Sequence, residues 1–175
     1  MHNRYAPEQR WLHWLIVALV LTQLVLGALL ANAPPNDPDY ATQIYGLHGG
    51  TGLVIFLVML WRLTARLRHG APPLPVGTPG VVSKLAHANH YAFYVLLLLE
   101  PLIGYLVGGA KGYPLSVYGL FTIPAAIGKS DQAAEILMGA HGVIAGLLVL
   151  LIALHVSGVI YHTFIRRDRL LTRIT

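Results

Sequence analysis

The chain has 175 residues, 55% of them apolar and only 11% charged, no cysteine, and a formal net charge of +5. Soluble domains carry about a quarter charged residues, so this composition excludes an ordinary soluble domain, and its low polarity excludes intrinsic disorder. The lack of Cys excludes disulfides, thiolate zinc sites, iron–sulfur clusters and cysteine nucleophiles together. What is left is a small membrane protein with 9 histidines.

A membrane-spanning helix needs about 20 mostly apolar residues. Four stretches qualify, at about 11–31, 45–63, 85–107 and 136–164. They predict an all-α, four-helix transmembrane bundle in one domain over residues 1–175. Barrel-type alternation is absent, so helices are the remaining way to satisfy the backbone in lipid. The first stretch has Arg4 and Arg10 ahead of it and Ala31-Asn32-Ala33 behind it, as a signal peptide would. Pro34 follows that pattern directly, and the apolar stretch exceeds the usual h-region of about 7–15 residues. It is therefore read as a retained helix. Residues 32–44 read as a short acidic loop, and 69–83 as a Pro- and Gly-rich loop. Residues 108–135 form a longer segment whose Tyr113, Tyr118 and Phe121 suit an interfacial aromatic belt.

Basic residues give the orientation. Arg4, Arg10, Arg62, Arg66, Arg68, Lys84, Arg166, Arg167, Arg169 and Arg173 fall on one side, and only Lys111 and Lys129 on the other. Both termini are thus expected in the cytoplasm. The positive charge is a topology signal, and no nucleic-acid partner is inferred from it.

Titratable side chains inside a membrane are costly and point to function. Seven histidines lie in or at the edges of the spans: His13, His48, His87, His90, His141, His155 and His162. A lone membrane histidine is more often a polar contact between helices, but seven in so small a bundle exceed that need. Alternating span directions put His13 and His155 near the cytoplasmic end, and His48 and His141 near the outer end. His141 and His155 are 14 residues apart, which is about 21 Å and just under four turns of helix, so both project from roughly one face. The expected pairs are His13 with His155 and His48 with His141. Two imidazoles on facing helices at one depth can hold a haem iron from both sides, and two such haems across the bilayer make an electron path.

The glycines beside His48 (Gly49, Gly50, Gly52) and His141 (Gly139, Gly142, Gly146) would leave room for a flat macrocycle, although small residues also pack membrane helices generally. His87 and His90 share a helix face. They read as alternative ligands, propionate partners, a quinone-pocket lining, or a plain interfacial pair. His162 reads as a propionate partner or an interfacial residue. His2 and His69 are assigned no role. Glu100-Pro101 lies toward the outer side, where Glu100 either relays a proton to a quinone or simply reaches the interface. Arg62, Arg66 and Arg68 are explained first by topology, with propionates or lipid phosphates as further partners. No phosphate-cradling loop, Ser/His/Asp set or dinucleotide fingerprint is present.

Several motifs together resemble the bacterial cytochrome b561 family of four-helix di-haem membrane proteins, related to the cytochrome b subunits of nickel hydrogenases and formate dehydrogenases. They are Trp11-Leu12-His13-Trp14-Leu15, His48-Gly49, Leu85-Ala86-His87-Ala88-Asn89-His90 with Tyr94, Tyr113-Pro114-Leu115 leading to Gly119-Leu120-Phe121 and Pro124, then His141, His155, His162 and the basic tail. The resemblance covers nearly the whole chain. It implies two b haems with His13, His48, His141 and His155 as axial ligands to iron, a bacterial inner-membrane location, and electron exchange with ubiquinone. Stand-alone members of this size include a superoxide oxidase, so the resemblance points to a quinone-linked oxidoreductase with superoxide as donor. Lys111 and Lys129 would be the local positive charge that attracts the anion. The alternative is a membrane anchor and electron conduit for a separate dehydrogenase or hydrogenase, which requires a protein redox partner. A non-redox bundle with structural histidines is the third reading.

Overall fold

A computed structural model describes residues 4–74, 77–168 and 170–175. Four helices, α1 (Pro7–Ala31), α2 (Pro38–His69), α3 (Gly80–Ala110) and α4 (Asp131–Ile160), are each long and apolar enough to cross a membrane. A π-helical turn (Tyr161–Arg166) and a short 3-10 turn (Leu170–Arg173) follow α4, and a hairpin of β1 (Leu115–Val117) and β2 (Phe121–Ile123) stands between α3 and α4. The chain is a multi-pass helical bundle. His2 and Arg169 lie outside the described residues.

Each helix runs past its apolar stretch, because capping rather than hydropathy ends it. Asp37 Oδ1 accepts the Tyr40 N–H at 2.9 Å and Pro38 opens α2, so this helix begins seven residues before the expected 45. Gly70, at φ 68°, ends it with an N–H to the Arg66 carbonyl at 2.9 Å. Ser130 Oγ accepts the Ala133 N–H and starts α4 ahead of the expected 136. Gln9 accepts the Ala6 N–H at 3.2 Å beside Pro7 at the head of α1. The linkers shrink accordingly.

The segment at 108–135 departs most from the sequence expectation. Within it 115–123 folds into an antiparallel hairpin, with Val117 opposite Phe121, which the apolar pattern does not announce. Tyr118, at φ 54°, and Gly119, at φ 73°, make the turn. A left-handed tyrosine is strained, and its contacts offset the strain. Its N–H donates to the Gly46 carbonyl at 3.3 Å, and its hydroxyl donates to Thr51 Oγ1 at 3.3 Å. A Cβ on Gly50 would stand 3.1 Å from its ring, and one on Gly49 would collide with Leu115. These glycines seat the hairpin on α2.

The opposite end of the bundle is closed by the C-terminal tail. Tyr5 N–H donates to the Arg173 carbonyl, Trp14 Nε1 to that of Ile174 and Arg10 to that of Thr175, while Arg173 reaches the Pro73 carbonyl. Trp11 and Trp61 pack edge to face at 4.8 Å here, and Glu8 joins Trp61 Nε1 at 2.6 Å to His69 Nε2 at 3.1 Å. Half-exposed tryptophans at such a level suit a membrane–water boundary.

α1 packs on α2, α2 on α3, and α3 on α4. Among the described residues α4 makes no comparable backbone approach to α1 or α2, so it meets them through side chains. The buried apolar core of Ile16, Ile55, Met59, Leu97, Ile144 and Leu148 occupies the middle of the bundle. Elsewhere large apolar side chains such as Leu21, Val25, Val143 and Leu150 point outward, as a lipid-facing surface requires.

Candidate functional site: two histidine pairs across the bundle

Histidines of α4 meet histidines of α1 and α2 at two levels. Near the tail, His13 of α1 faces His155 of α4 with ring centroids 6.2 Å apart. Near the hairpin, His48 of α2 faces His141 of α4, also at 6.2 Å. α4 is uninterrupted from Asp131 to Ile160, so the 14-residue spacing corresponds to about 21 Å of rise. Ile144 and Leu148 lie buried between the two levels.

This spacing can be tested against a metal held between two imidazoles. Metal–imidazole bonds of about 2.0–2.1 Å, with a ring radius of roughly 1.1 Å, put two trans ligand centroids about 6.3 Å apart. Both pairs match. An axial histidine uses one ring nitrogen for the metal and the other for a hydrogen bond. His48 has this asymmetry: the Gln23 amide sits 3.2 Å from Nε2, while Nδ1 is buried with no hydrogen-bond partner. At His141 a carboxylate stands on the Nδ1 side instead: Glu100 Oε1 lies 3.2 Å from that nitrogen, off hydrogen-bonding alignment. The residues therefore fit a pair of two-ligand haem sites. Among the described residues no cluster of three or more metal-ligating side chains competes with them.

Two glycines that the sequence reading passed over face these rings. A Cβ on Gly27 would stand 3.3 Å from His48 Cε1, and one on Gly104 would stand 3.1 Å from His141 Cε1. Gly139, Gly142 and Gly146 have open space around them. The signal that finds Gly27 and Gly104 is their depth on α1 and α3, not their closeness in sequence to a histidine.

The remaining candidates separate. His90 comes to the tail-end pair, 5.5 Å from His155, with Phe93 on the same ring at 5.8 Å. His87 turns away and donates its Nδ1–H to the Ser83 carbonyl at 2.7 Å within its own helix. His87 and His90 line a small cavity of about 40 Å³ with Tyr5, Arg66 and Leu74. His162 is buried and its Nδ1 lies 2.6 Å from Asp168 Oδ2, so its nearest charge is in the tail. Arg62 is more than a topology marker: Nη2 lies 3.5 Å from His13 Nδ1, and Nη1 donates to the Gln9 carbonyl at 3.0 Å. Lys111 ends α3 at the hairpin end, and the Lys129 stem lies across Gly112 there. Both are exposed.

The family profile described as prokaryotic cytochrome b561 matches residues 4–175. The chain is 29% identical over 175 residues to a protein of Yersinia pestis named probable superoxide oxidase CybB, covering 99% of this chain and 97% of that one. It is 30% identical over 173 residues to cytochrome b561 homolog 2 of Escherichia coli K12, covering 98% and 91%. Cytochrome b561 homolog 1 of the same organism is 24% identical over 172 residues.

Proposed function

Because the chain belongs to the prokaryotic cytochrome b561 family, a family of haem-binding membrane electron-transfer proteins, we propose that it carries electrons from superoxide to ubiquinone through two b haems. The observation that carries this reading is the pair of facing histidines at each of two depths, both with ring centroids 6.2 Å apart, a separation at which two imidazoles could hold one metal between them. On this reading His13 and His155 hold one haem and His48 and His141 the other, within a single membrane domain. Bound haem iron would supply the reversible one-electron chemistry.

The protein's own residues would do the rest. Gly27 and Gly104 leave the hairpin-end rings room to face each other. Ile144 and Leu148 exclude water between the two levels. Gln23 fixes the His48 ring and Arg62 borders His13. The ten-to-two split of basic side chains supports a bacterial inner-membrane orientation with both termini cytoplasmic. The hairpin, Lys111 and Lys129 then face outward, where their positive charge would draw in a small anion. The relative named a probable superoxide oxidase supports the choice of donor. In the overall reaction two superoxide anions each give up one electron and leave as dioxygen. Ubiquinone takes those two electrons and two protons to become the quinol.

The test uses the purified protein in detergent. Absorbance spectra and a haem-to-protein ratio come first, then a superoxide source with and without a short-chain quinone. Two b haems that superoxide reduces and quinone reoxidises are the expected result. Two haems indifferent to superoxide would replace the donor with a partner dehydrogenase and make this chain its membrane conduit. In the single substitutions His48→Ala and His141→Ala one haem is lost, and in His13→Ala and His155→Ala the other. Four variants that all keep two bis-histidine haems would overturn the ligand assignment.

A further inference from the structure

The two histidine pairs sit in opposite charge environments. At the hairpin end, Glu100 Oε1 lies 3.2 Å from His141 Nδ1, and its other oxygen, Oε2, is buried with no hydrogen-bond partner. Pro101 follows it inside α3. A carboxylate held at this depth is expensive and calls for a role. At the tail end, the Arg62 guanidinium lies 3.5 Å from His13 Nδ1 and is anchored on the Gln9 carbonyl. Arginine stays cationic and has no acceptor atom.

Resting on the haem assignment above, we propose that Glu100 and Arg62 set the two haem sites to different reduction potentials, Glu100 lowering the hairpin-end site and Arg62 raising the tail-end site. An oxidised haem site carries one more positive charge than a reduced one. A carboxylate standing beside an axial histidine stabilises that extra positive charge through its field and favours the oxidised state. A guanidinium beside the other ring does the reverse, and in a weakly polar interior its field is little screened.

The consequence is direction. With both groups bound, one electron leaving the hairpin-end site would oxidise it by one equivalent and reduce the tail-end site by one, with no bond or proton moving. That transfer is downhill on the potentials these residues set. With the termini in the cytoplasm it also runs toward the negative side of an energised membrane, where the membrane field opposes an electron. The graded potentials offset that opposition. Glu100 and Arg62 are positioning residues here, since they act on the reacting centre through His141 and His13.

The experiment is a spectroelectrochemical titration of the full-length holoprotein, with electron paramagnetic resonance to separate the two low-spin ferric signals. Wild type is expected to show two distinct midpoint potentials. Glu100→Gln, which keeps the side-chain shape, raises the lower one by on the order of tenfold in its reduction equilibrium, or about 59 mV for one electron, and leaves the upper one in place. Glu100→Asp, which keeps the charge, moves it less. Arg62→Gln lowers the upper potential alone. A Glu100→Gln variant that moves neither potential, or moves both equally, overturns the proposal. Should that variant lose the haem beside His141, Arg62→Gln decides, and an unchanged upper potential overturns the proposal. A wild-type protein without two bis-histidine haems would overturn the functional reading and this inference with it. Two haems with split, variant-sensitive potentials but no response to superoxide would support this inference and overturn only the choice of donor.

Discussion

Gly104 of α3 and His141 of α4 fit each other as surface and ring: the smallest side chain added at position 104 would come within 3.1 Å of the imidazole Cε1. Gly27 of α1 stands in the same relation to His48, at 3.3 Å. The two glycines press on the two rings of one pair from helices that do not themselves carry the pair. The spacing of that pair is therefore set by four helices at once.

This relation gives the first prediction. Gly104→Val should displace the His141 ring and lower the purified protein's haem content from two toward one per chain, measured by pyridine haemochrome assay against protein. Gly142→Ala is the control, because a Cβ at that position meets nothing within 4 Å. Equal haem content in the two variants would show that Gly104 does not shape the site.

The hairpin gives the second. The Tyr118 ring lies in the hollow left by Gly50, where an added Cβ would be 3.1 Å away. Gly50→Val should unseat Tyr118, break its hydroxyl contact with Thr51 and free residues 115–123 from α2. Overpacking of this kind costs about 1–3 kcal/mol. Faster limited proteolysis within this segment, with the rest of the bundle protected, is the expected result. An unchanged digestion pattern would mean that the hairpin does not depend on the α2 glycines.

The third concerns the tail. Asp168 reaches His162 at 2.6 Å and Arg166 Nε at 3.6 Å. Asp168→Asn should destabilise the packing of the tail by about 1–3 kcal/mol, the range for losing a partly buried charged hydrogen-bond partner. Lower thermal stability in detergent with full haem content would show that His162 works with the tail. Loss of a haem instead would make His162 part of a haem site.

Much of this protein is set by local properties of the chain. Four apolar stretches need no partner to be recognised as spans, because lipid permits only internally bonded backbone. The facing of His13 with His155 and of His48 with His141 was legible for a related reason. In a simple up-and-down bundle, depth follows from residue count, and the 14 residues between His141 and His155 return to one face of the helix. Helix ends were less legible, since Asp37, Gly70 and Ser130 set them by capping, outside the apolar windows.

Other features arise only when separate helices meet. Nothing in the order Gly46, Gly49, Gly50 says that a hairpin some 65 residues further on will fill the groove they make. Gly27 and Gly104 acquire meaning only from histidines on other helices. The same holds for charge: Arg62 reads as a topology marker and Glu100 as a misplaced acid until packing sets one beside His13 and the other beside His141. The sequence by itself determined which segments cross the membrane and which histidines share a depth, because both follow from hydropathy and helical rise along one chain. Tertiary structure alone decided which glycines make room and which charges border each pair, because those depend on how helices distant in sequence are set against one another.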